Sequence, residues 1–173
     1  MNTGFFRIFF SIAVILCTVG KAHAQFETVY IGVNGLTCSQ CSRTVEMRIR
    51  KLDFVSDVQM NLEHTEGTIL LKKDRKPDIE KIAQSVVDAG FSVRYVGADV
   101  NFGSAINGSC ASYKGDQYVF VQPPKNNAKG VIKVKFLGKK YQPKNEFKKM
   151  EPSLVSTCGA TAGNVYYISE DNK

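Results

Sequence analysis

The chain has 173 residues, of which 43% are hydrophobic, and a formal net charge of +7. This length excludes anything larger than one ordinary domain or two small ones. A positive charge alone favours a solvated, soluble surface over a specific anionic partner.

The first residues have the three-part layout of a secretory signal peptide. Arg7 precedes an apolar run from Ile8 to Val19, and Ala22-His23-Ala24 forms a small-x-small cleavage pattern. The run is about 12 residues, short of the roughly 20 that a membrane span needs, although an uncleaved anchor stays the alternative. We therefore predict that residues 1–24 are a signal peptide cleaved after Ala24, and that the protein is periplasmic or secreted. Export argues against nucleic acid as a partner.

The secondary-structure elements after the signal peptide are predicted by clear sequence patterns. The alternating, β-branched "TVYIGV" predicts a strand. A helix follows from about Ser39, with its apolar stripe formed by Cys41, Val45, Ile49 and Leu52. "VSDVQMNL" and "TILLK" predict a hairpin of two strands with its turn at Glu66-Gly67.

A second helix and a fourth strand complete this first unit. Pro77 suits the first turn of a helix, Asp78 suits the positive end of its dipole, and Gly90 suits its end. "FSVRYV" predicts the fourth strand. The order strand, helix, strand, strand, helix, strand predicts an α+β, ferredoxin-like βαββαβ fold with two helices on a four-stranded antiparallel sheet. We assign residues 25–97 to this domain.

The remaining chain predicts a small β-rich unit. Residues 98–117 are rich in Gly, Asn and Ser and predict a linker or loop. Within 118–173, "QYVFVQ", "VIKVKFLG" and "NVYYIS" predict strands and "KNEFKKM" a short helix. The late lysines favour a solvated surface, with weak contact to a membrane surface or to an acidic partner as the alternative. We predict no transmembrane span in the mature chain.

Five cysteines are present, and Cys17 leaves with the signal peptide. Disulfides are the default state of cysteine in an exported protein. Of the three possible pairings of the other four, we expect Cys110 to bond Cys158, leaving Cys38 and Cys41 as a local pair. The β-rich C-terminal unit is small enough that we expect such a disulfide to contribute to its stability.

The pair in "GLTCSQC" is the candidate functional site. Cys38 lies in a loop and Cys41 in the first helical turn, where the helix dipole and free N–H groups favour thiolates. Two thiolates suit a soft ion, and Cu(I) fits best. A thiol–disulfide redox protein and a plain structural disulfide are the alternatives. Structural zinc usually needs four ligands. His64 is better explained as a residue of the hairpin turn and Met60 as a packing residue, and we do not expect Met47 to be a ligand.

Residues 28–96 resemble the heavy-metal-associated domain found in copper chaperones, copper-pumping ATPases and the periplasmic mercury-binding protein. The resemblance rests on Gly35-Leu36-Thr37-Cys38-Ser39-Gln40-Cys41, on the Glu66-Gly67 hairpin, and on Val87-Asp88-Ala89-Gly90-Phe91. Leu36 replaces a Met that the family buries under the loop, so the replacement should be tolerated.

The resemblance implies that Cys38 and Cys41 ligate a metal, with Thr37 and Phe91 beside it and Phe91 shielding it. It does not identify the ion: Cu(I) is preferred, and Hg(II) or Zn(II) are alternatives. We expect no enzymatic activity. The expected function is an exported metallochaperone or metal scavenger that passes its ion by ligand exchange to a partner such as a metal transporter or cuproprotein.

Overall fold

The structure is a computed structural model that describes residues 25–73, 75–103, 106–124, 130–155, 158–159 and 161–171. The predicted signal peptide, with Cys17, lies outside the described residues. Nine strands and three α-helices are described, and no helix among them is long and apolar enough to cross a membrane. The strands are β1 (Gln25–Asn34), β2 (Val55–Asn61), β3 (Glu66–Leu71), β4 (Ser92–Asn101), β5 (Ile106–Asn107), β6 (Cys110–Tyr113), β7 (Asp116–Phe120), β8 (Val131–Leu137) and β9 (Val165–Glu170). The helices are α1 (Ser39–Ile49), α2 (Ile79–Asp88) and α3 (Lys144–Met150), the last followed by a 3-10 turn at Glu151–Ser153.

The predicted βαββαβ unit is present. Strands β2, β3, β1 and β4 are neighbours in that order, and each pair is antiparallel. Helices α1 and α2 contact each other and the sheet. Their apolar stripes enter the core, because Val45 and Ile49 of α1 and Ile79, Ile82 and Val86 of α2 are fully buried. Burial of these side chains, at roughly 1.5–3 kcal/mol each, holds the helices on the sheet.

Helix α2 starts at Ile79, two residues after the proline that suggested its first turn. Asp78 is the N-cap, and its side chain accepts a hydrogen bond from the N–H of Lys81 at 3.0 Å. Pro77 therefore precedes the cap instead of lying in the first turn. Gly90 ends the helix with a φ of 88°, a conformation that glycine adopts without strain.

The predicted hairpin turn at Glu66-Gly67 is wrong. Both residues belong to β3, where Glu66 pairs with Asn61 and Gly67 with Met60, and the turn lies just before them, with Thr65 at a φ of 52°. Gly67 is a packing glycine, because a Cβ there would lie 2.8 Å from the Sδ of Met60. The glycine that suggested a turn is instead closely packed within β3.

Most of the predicted linker at 98–117 is strand. Strand β4 continues to Asn101, so the predicted boundary at residue 97 falls inside it, and β5 and β6 form a hairpin that leads into β7. Two of the glycines that suggested a loop lie in tight turns between short strands. Gly108 and Gly115 have φ values of 62° and 86° in these turns.

The C-terminal strands extend the first sheet instead of forming a separate one. Strand β8 pairs antiparallel with β4, and the complete order is β2-β3-β1-β4-β8-β9-β7-β6-β5. The core is also continuous. The ring centroid of Phe26, from β1, lies 5.3 Å from that of Tyr113 and 5.7 Å from that of Tyr118. A disulfide joins Cys110 to Cys158, the pairing expected from the sequence, with the Cα atoms 5.9 Å apart.

Candidate metal-binding loop

The cysteine loop begins where β1 ends. Gly35 has a φ of 88°, which turns the chain out of the sheet. Leu36 then points into the core and is 4% exposed. The backbone N–H of Thr37 donates to the carbonyl of Gly35 at 3.0 Å. The loop therefore packs on the core through Leu36 and is closed by a local hydrogen bond. The next residues, Cys38, Ser39 and Gln40, are exposed.

Cys38 and Cys41 lie side by side at the start of α1. Cys38 is the N-cap, with extended backbone, and its Sγ accepts a hydrogen bond from the N–H of Cys41 at 3.1 Å. Its carbonyl accepts the N–H of Ser42, also at 3.1 Å. The two cysteines form a disulfide, with their Cα atoms 5.2 Å apart. A helix N-terminus thus presents both sulfurs in one place.

The electrostatic surroundings favour negative charge on these sulfurs. The first turn of α1 carries no acidic residue. The N-terminal N–H groups and the helix dipole both stabilise an anion there, and a thiolate is such an anion. Cys38 is exposed, whereas Cys41 is half-buried and packs against the core. Once reduced, the pair would have one anchored and one accessible sulfur.

Phe91 lies on one side of the loop. Its Cδ1 is 3.7 Å from the position that a Cβ on Gly35 would take, and its half-buried ring packs against the core. The ring therefore lies beside the loop that carries the cysteines, and its shielding of a bound ion stays a prediction. Thr37 is exposed and directly precedes Cys38.

Other candidate ligands are not gathered around the cysteines. Among the described residues there is no cluster of three or more His, Cys, Asp or Glu side chains suited to a metal ion. His64 is exposed in the β2–β3 turn, where its N–H donates to the side chain of Asn61. Met60 packs against the core, and Met47 is 43% exposed on α1. The described part of the chain thus offers a two-sulfur site.

A cleft beside the loop was not foreseen from the sequence. It has a volume of about 730 Å³, and its lining runs from Asn34 and Phe91 to the segment Lys139–Lys144. The sequence signal for it was the lysine-rich stretch after β8, which by itself indicated only a solvated surface. Its proximity to the loop depends on sheet pairing that the sequence did not predict.

Comparison with known proteins identifies the class of this chain. Residues 31–92 match the heavy-metal-associated domain family. The chain is also 34% identical over 85 residues to the mercuric transport protein periplasmic component of Serratia marcescens, spanning 91% of that protein and 49% of this chain. The chain belongs to the heavy-metal-associated family.

A further relative agrees with this assignment, and two solved structures are similar to part of the chain. The mercuric transport protein periplasmic component of Pseudomonas aeruginosa is 32% identical over 85 residues, again spanning 91% of that protein. The crystal structure of oxidised MerP from Ralstonia metallidurans CH34 is 32% identical, with a TM-score of 0.36, covering 40% of this chain and 94% of that one. The CopZ metallochaperone is 24% identical, with a TM-score of 0.36, covering 39% and 98%.

Proposed function

We propose that this protein is an exported carrier of a soft metal ion, which it binds between Cys38 and Cys41 and passes to a partner by ligand exchange. The observation that carries the proposal is the placement of both sulfurs at the N-terminus of α1, on an exposed loop. We propose that it acts as a carrier and not as an enzyme.

Binding requires the reduced pair. A dithiol of a partner reductant would donate two electrons and two protons to the Cys38–Cys41 disulfide and become a disulfide itself. The ion then replaces the two thiol protons as the sulfurs become its ligands. The helix N-terminus supports this step because it stabilises thiolates relative to thiols.

The two-sulfur arrangement suits an ion that accepts low coordination. Thiolates select soft ions such as Cu(I) and Hg(II). Structural zinc usually takes four ligands, and the described residues provide no such cluster. The names of the curated relatives support Hg(II). Cu(I), the ion that the sequence favoured, fits the same two sulfurs, so both ions remain in the proposal and Zn(II) is disfavoured.

Transfer would proceed through the accessible side of the site. Cys38 is exposed, so sulfurs of a partner can approach an ion held on it while Cys41 stays packed against the core. The partner would be a metal transporter or cuproprotein. A periplasmic location is supported by the names of the relatives and by the signal-like layout of residues 1–24.

The test is an anaerobic titration of the reduced protein with Hg(II), Cu(I) and Zn(II), read by native mass spectrometry. We expect one Hg(II) or one Cu(I) per chain, weaker Zn(II) binding, and loss of this stoichiometric binding in Cys38→Ser/Cys41→Ser. Ser39→Ala, an exposed change between the cysteines, is the matched control and should bind normally. Unchanged binding by the double cysteine variant would contradict the proposal, and competition between Hg(II) and Cu(I) ranks the two ions.

A thiol–disulfide redox protein is the second candidate, because the structure contains the Cys38–Cys41 disulfide with Cys38 exposed. It predicts turnover of a disulfide substrate without metal. An insulin-reduction assay on the metal-free protein distinguishes the two: the carrier gives no turnover above that of Cys38→Ser/Cys41→Ser.

A further inference from the structure

We infer that the cleft beside the cysteine loop is a docking site for an acidic, apolar peptide segment of a partner protein. The identity of that partner as the metal-exchange partner rests on the proposed function. The docking itself depends on the cleft alone and needs no metal.

The sheet topology builds this cleft from both halves of the chain. Strand β8 runs antiparallel to β4, with Gly97 opposite Lys135. Strand β8 therefore ends on the same side of the sheet at which β4 begins, next to the cysteine loop. The segment after β8 contacts α2 there through an ion pair between Lys140 and Glu80. The result is a cleft between α2, the start of β4 and the segment 139–144.

One wall of the cleft is apolar. Val87 of α2 is 51% exposed, and Phe91 and Val93 continue the same wall. Its volume of about 730 Å³ lies within the range of ordinary ligand sites, which are mostly apolar with a few polar groups. An apolar side chain seated here would cover Val87, whose exposure is otherwise unfavourable.

The opposite side is positively charged. Lys139, Lys140 and Lys144 all line the cleft. Lys140 is paired with Glu80, but in the described part of the chain neither Lys139 nor Lys144 has a carboxylate partner. Two such lysines in a cleft with an apolar wall favour an occupant that carries both carboxylates and apolar groups.

A buried amide selects a peptide over a simple fatty acid. Gln142 lines the cleft but is 4% exposed, and its Oε1 is buried with no hydrogen-bond partner among the described residues. Its Nε2 contacts only the Sδ of Met150, at 3.7 Å. An unsatisfied buried amide is costly, and the terminal torsion of a glutamine turns easily. A peptide group supplies both a donor and an acceptor to such an amide, whereas a fatty carboxylate has no donor to offer.

The cleft also has the right position for the proposed exchange. Phe91 belongs both to its wall and to the surroundings of Gly35, and Asn34 directly precedes the loop. A partner segment lying here would bring the rest of the partner next to Cys38. The docking site therefore supplies what the two cysteines lack, which is a surface that recognises a protein.

The test uses the full-length mature protein with its disulfides intact and no metal, so that metal binding does not enter the result. The probe is a synthetic acetylated hexapeptide amide of alternating glutamate and valine, titrated while ¹⁵N–¹H NMR spectra are recorded. We expect saturable shifts at the amides of Val87, Phe91, Lys139 and Gln142. The same peptide with lysine for glutamate, and decanoate, should bind at least about fivefold more weakly, because each lacks either the charge or the peptide groups.

Two variants locate the interaction. Lys139→Gln/Lys144→Gln should weaken the glutamate–valine peptide about fivefold to tenfold, as expected for two exposed ion pairs. Lys148→Gln/Lys149→Gln removes the same charge from exposed positions of α3 outside the cleft and is the matched control, with no change expected. Val87→Glu, at an exposed position, should abolish binding while leaving the thermal unfolding midpoint unchanged.

Three results would overturn the inference. They are shifts confined to the basic face of α1 around Arg43 and Arg48, equal binding of the lysine peptide, and decanoate binding as tight as that of the peptide. Each would leave the metal titration of the proposed function unaffected. Conversely, a failed metal titration would remove the identity of the partner but not the peptide binding.

Discussion

The ammonium group of Lys76 lies 2.6 Å from the carboxylate of Asp116 and ties the loop before α2 to the first residue of β7. Asp116 is 1% exposed and also accepts the N–H of Asn164 at 3.0 Å, whereas the side chain of Lys76 is 36% exposed. This contact joins the family domain to the C-terminal strands. The carboxylate is therefore a buried charge whose counter-ion comes from the other half of the chain.

We expect Lys76→Met to lower the free energy of unfolding more than Asp116→Asn does. Removing the lysine leaves a buried carboxylate unpaired, at about 2–3 kcal/mol, below the range for wholly buried pairs because Lys76 is partly exposed. The asparagine keeps the acceptor for Asn164 and costs about 1 kcal/mol. The double variant should be more stable than Lys76→Met alone. Urea unfolding measures all three, with Lys81→Met as the exposed control, and a double variant less stable than Lys76→Met would refute the buried-charge explanation.

The two disulfides should differ greatly in their contribution to stability. Cys110 and Cys158 are 48 residues apart, and loss of this bond as Cys110→Ser/Cys158→Ser should lower the free energy of unfolding by about 4 kcal/mol. Cys38 and Cys41 are three apart, and their bond should contribute under about 2 kcal/mol. Chemical unfolding of each serine pair checks this. Similar losses would show that the short disulfide has a structural role.

Leu36→Met, which restores the residue usual in the family loop, should change neither the stability nor the metal affinity by much. Leu36 is buried under the loop, and a swap of similar volume costs less than about 1.5 kcal/mol. Leu36→Ala should cost about 2–5 kcal/mol because it leaves a cavity beneath the cysteines. Thermal unfolding and the metal titration together test this. A large effect of the methionine on affinity, without loss of stability, would mean that the side chain at this position contacts the ion.

Tyr30 gives the protein a pH dependence in the alkaline range. Burial and a 2.6 Å hydrogen bond to Asp99 raise the pKa of Tyr30 from 10.0 to about 12. The folded state therefore holds this proton more tightly than the unfolded state. The stability that results is fully present below about pH 10 and is lost as the pH rises through about 12.

Tyr30→Phe isolates this effect from that of the other tyrosines. At about pH 9 the variant should be less stable than the unmodified protein by about 1 kcal/mol, for the lost hydrogen bond. The difference should shrink as the pH approaches 12. Urea unfolding at both values measures it. A difference that stays constant would show that Tyr30 is not protonated preferentially in the folded state.

The sequence predicted well what depends on local chemistry. The helix that starts at Ser39 and the two cysteines at its N-terminus follow from short-range spacing, and so does the βαββαβ order. The sequence-based predictions were wrong or incomplete where contacts between distant parts of the chain determine the structure. Gly67 resembled a turn residue but is a packing residue against Met60, and the turn residues of 98–117 hid the short strands between them. The cleft beside Phe91 depends on the pairing of β4 with β8, which no local pattern encodes.

Strand β4 is shared over its second half, because β1 pairs with it on one side and β8 pairs with Gly97–Asn101 on the other. A sheet that ended at β4 would present a row of unpaired backbone groups to other chains, and the C-terminal strands remove that hazard for the covered residues. Because β1, which carries the cysteine loop, belongs to this continuous sheet, the loop is not on a separate flexible unit. In the proposed carrier, transfer of the ion would then require the described sheet to reorient together with the loop.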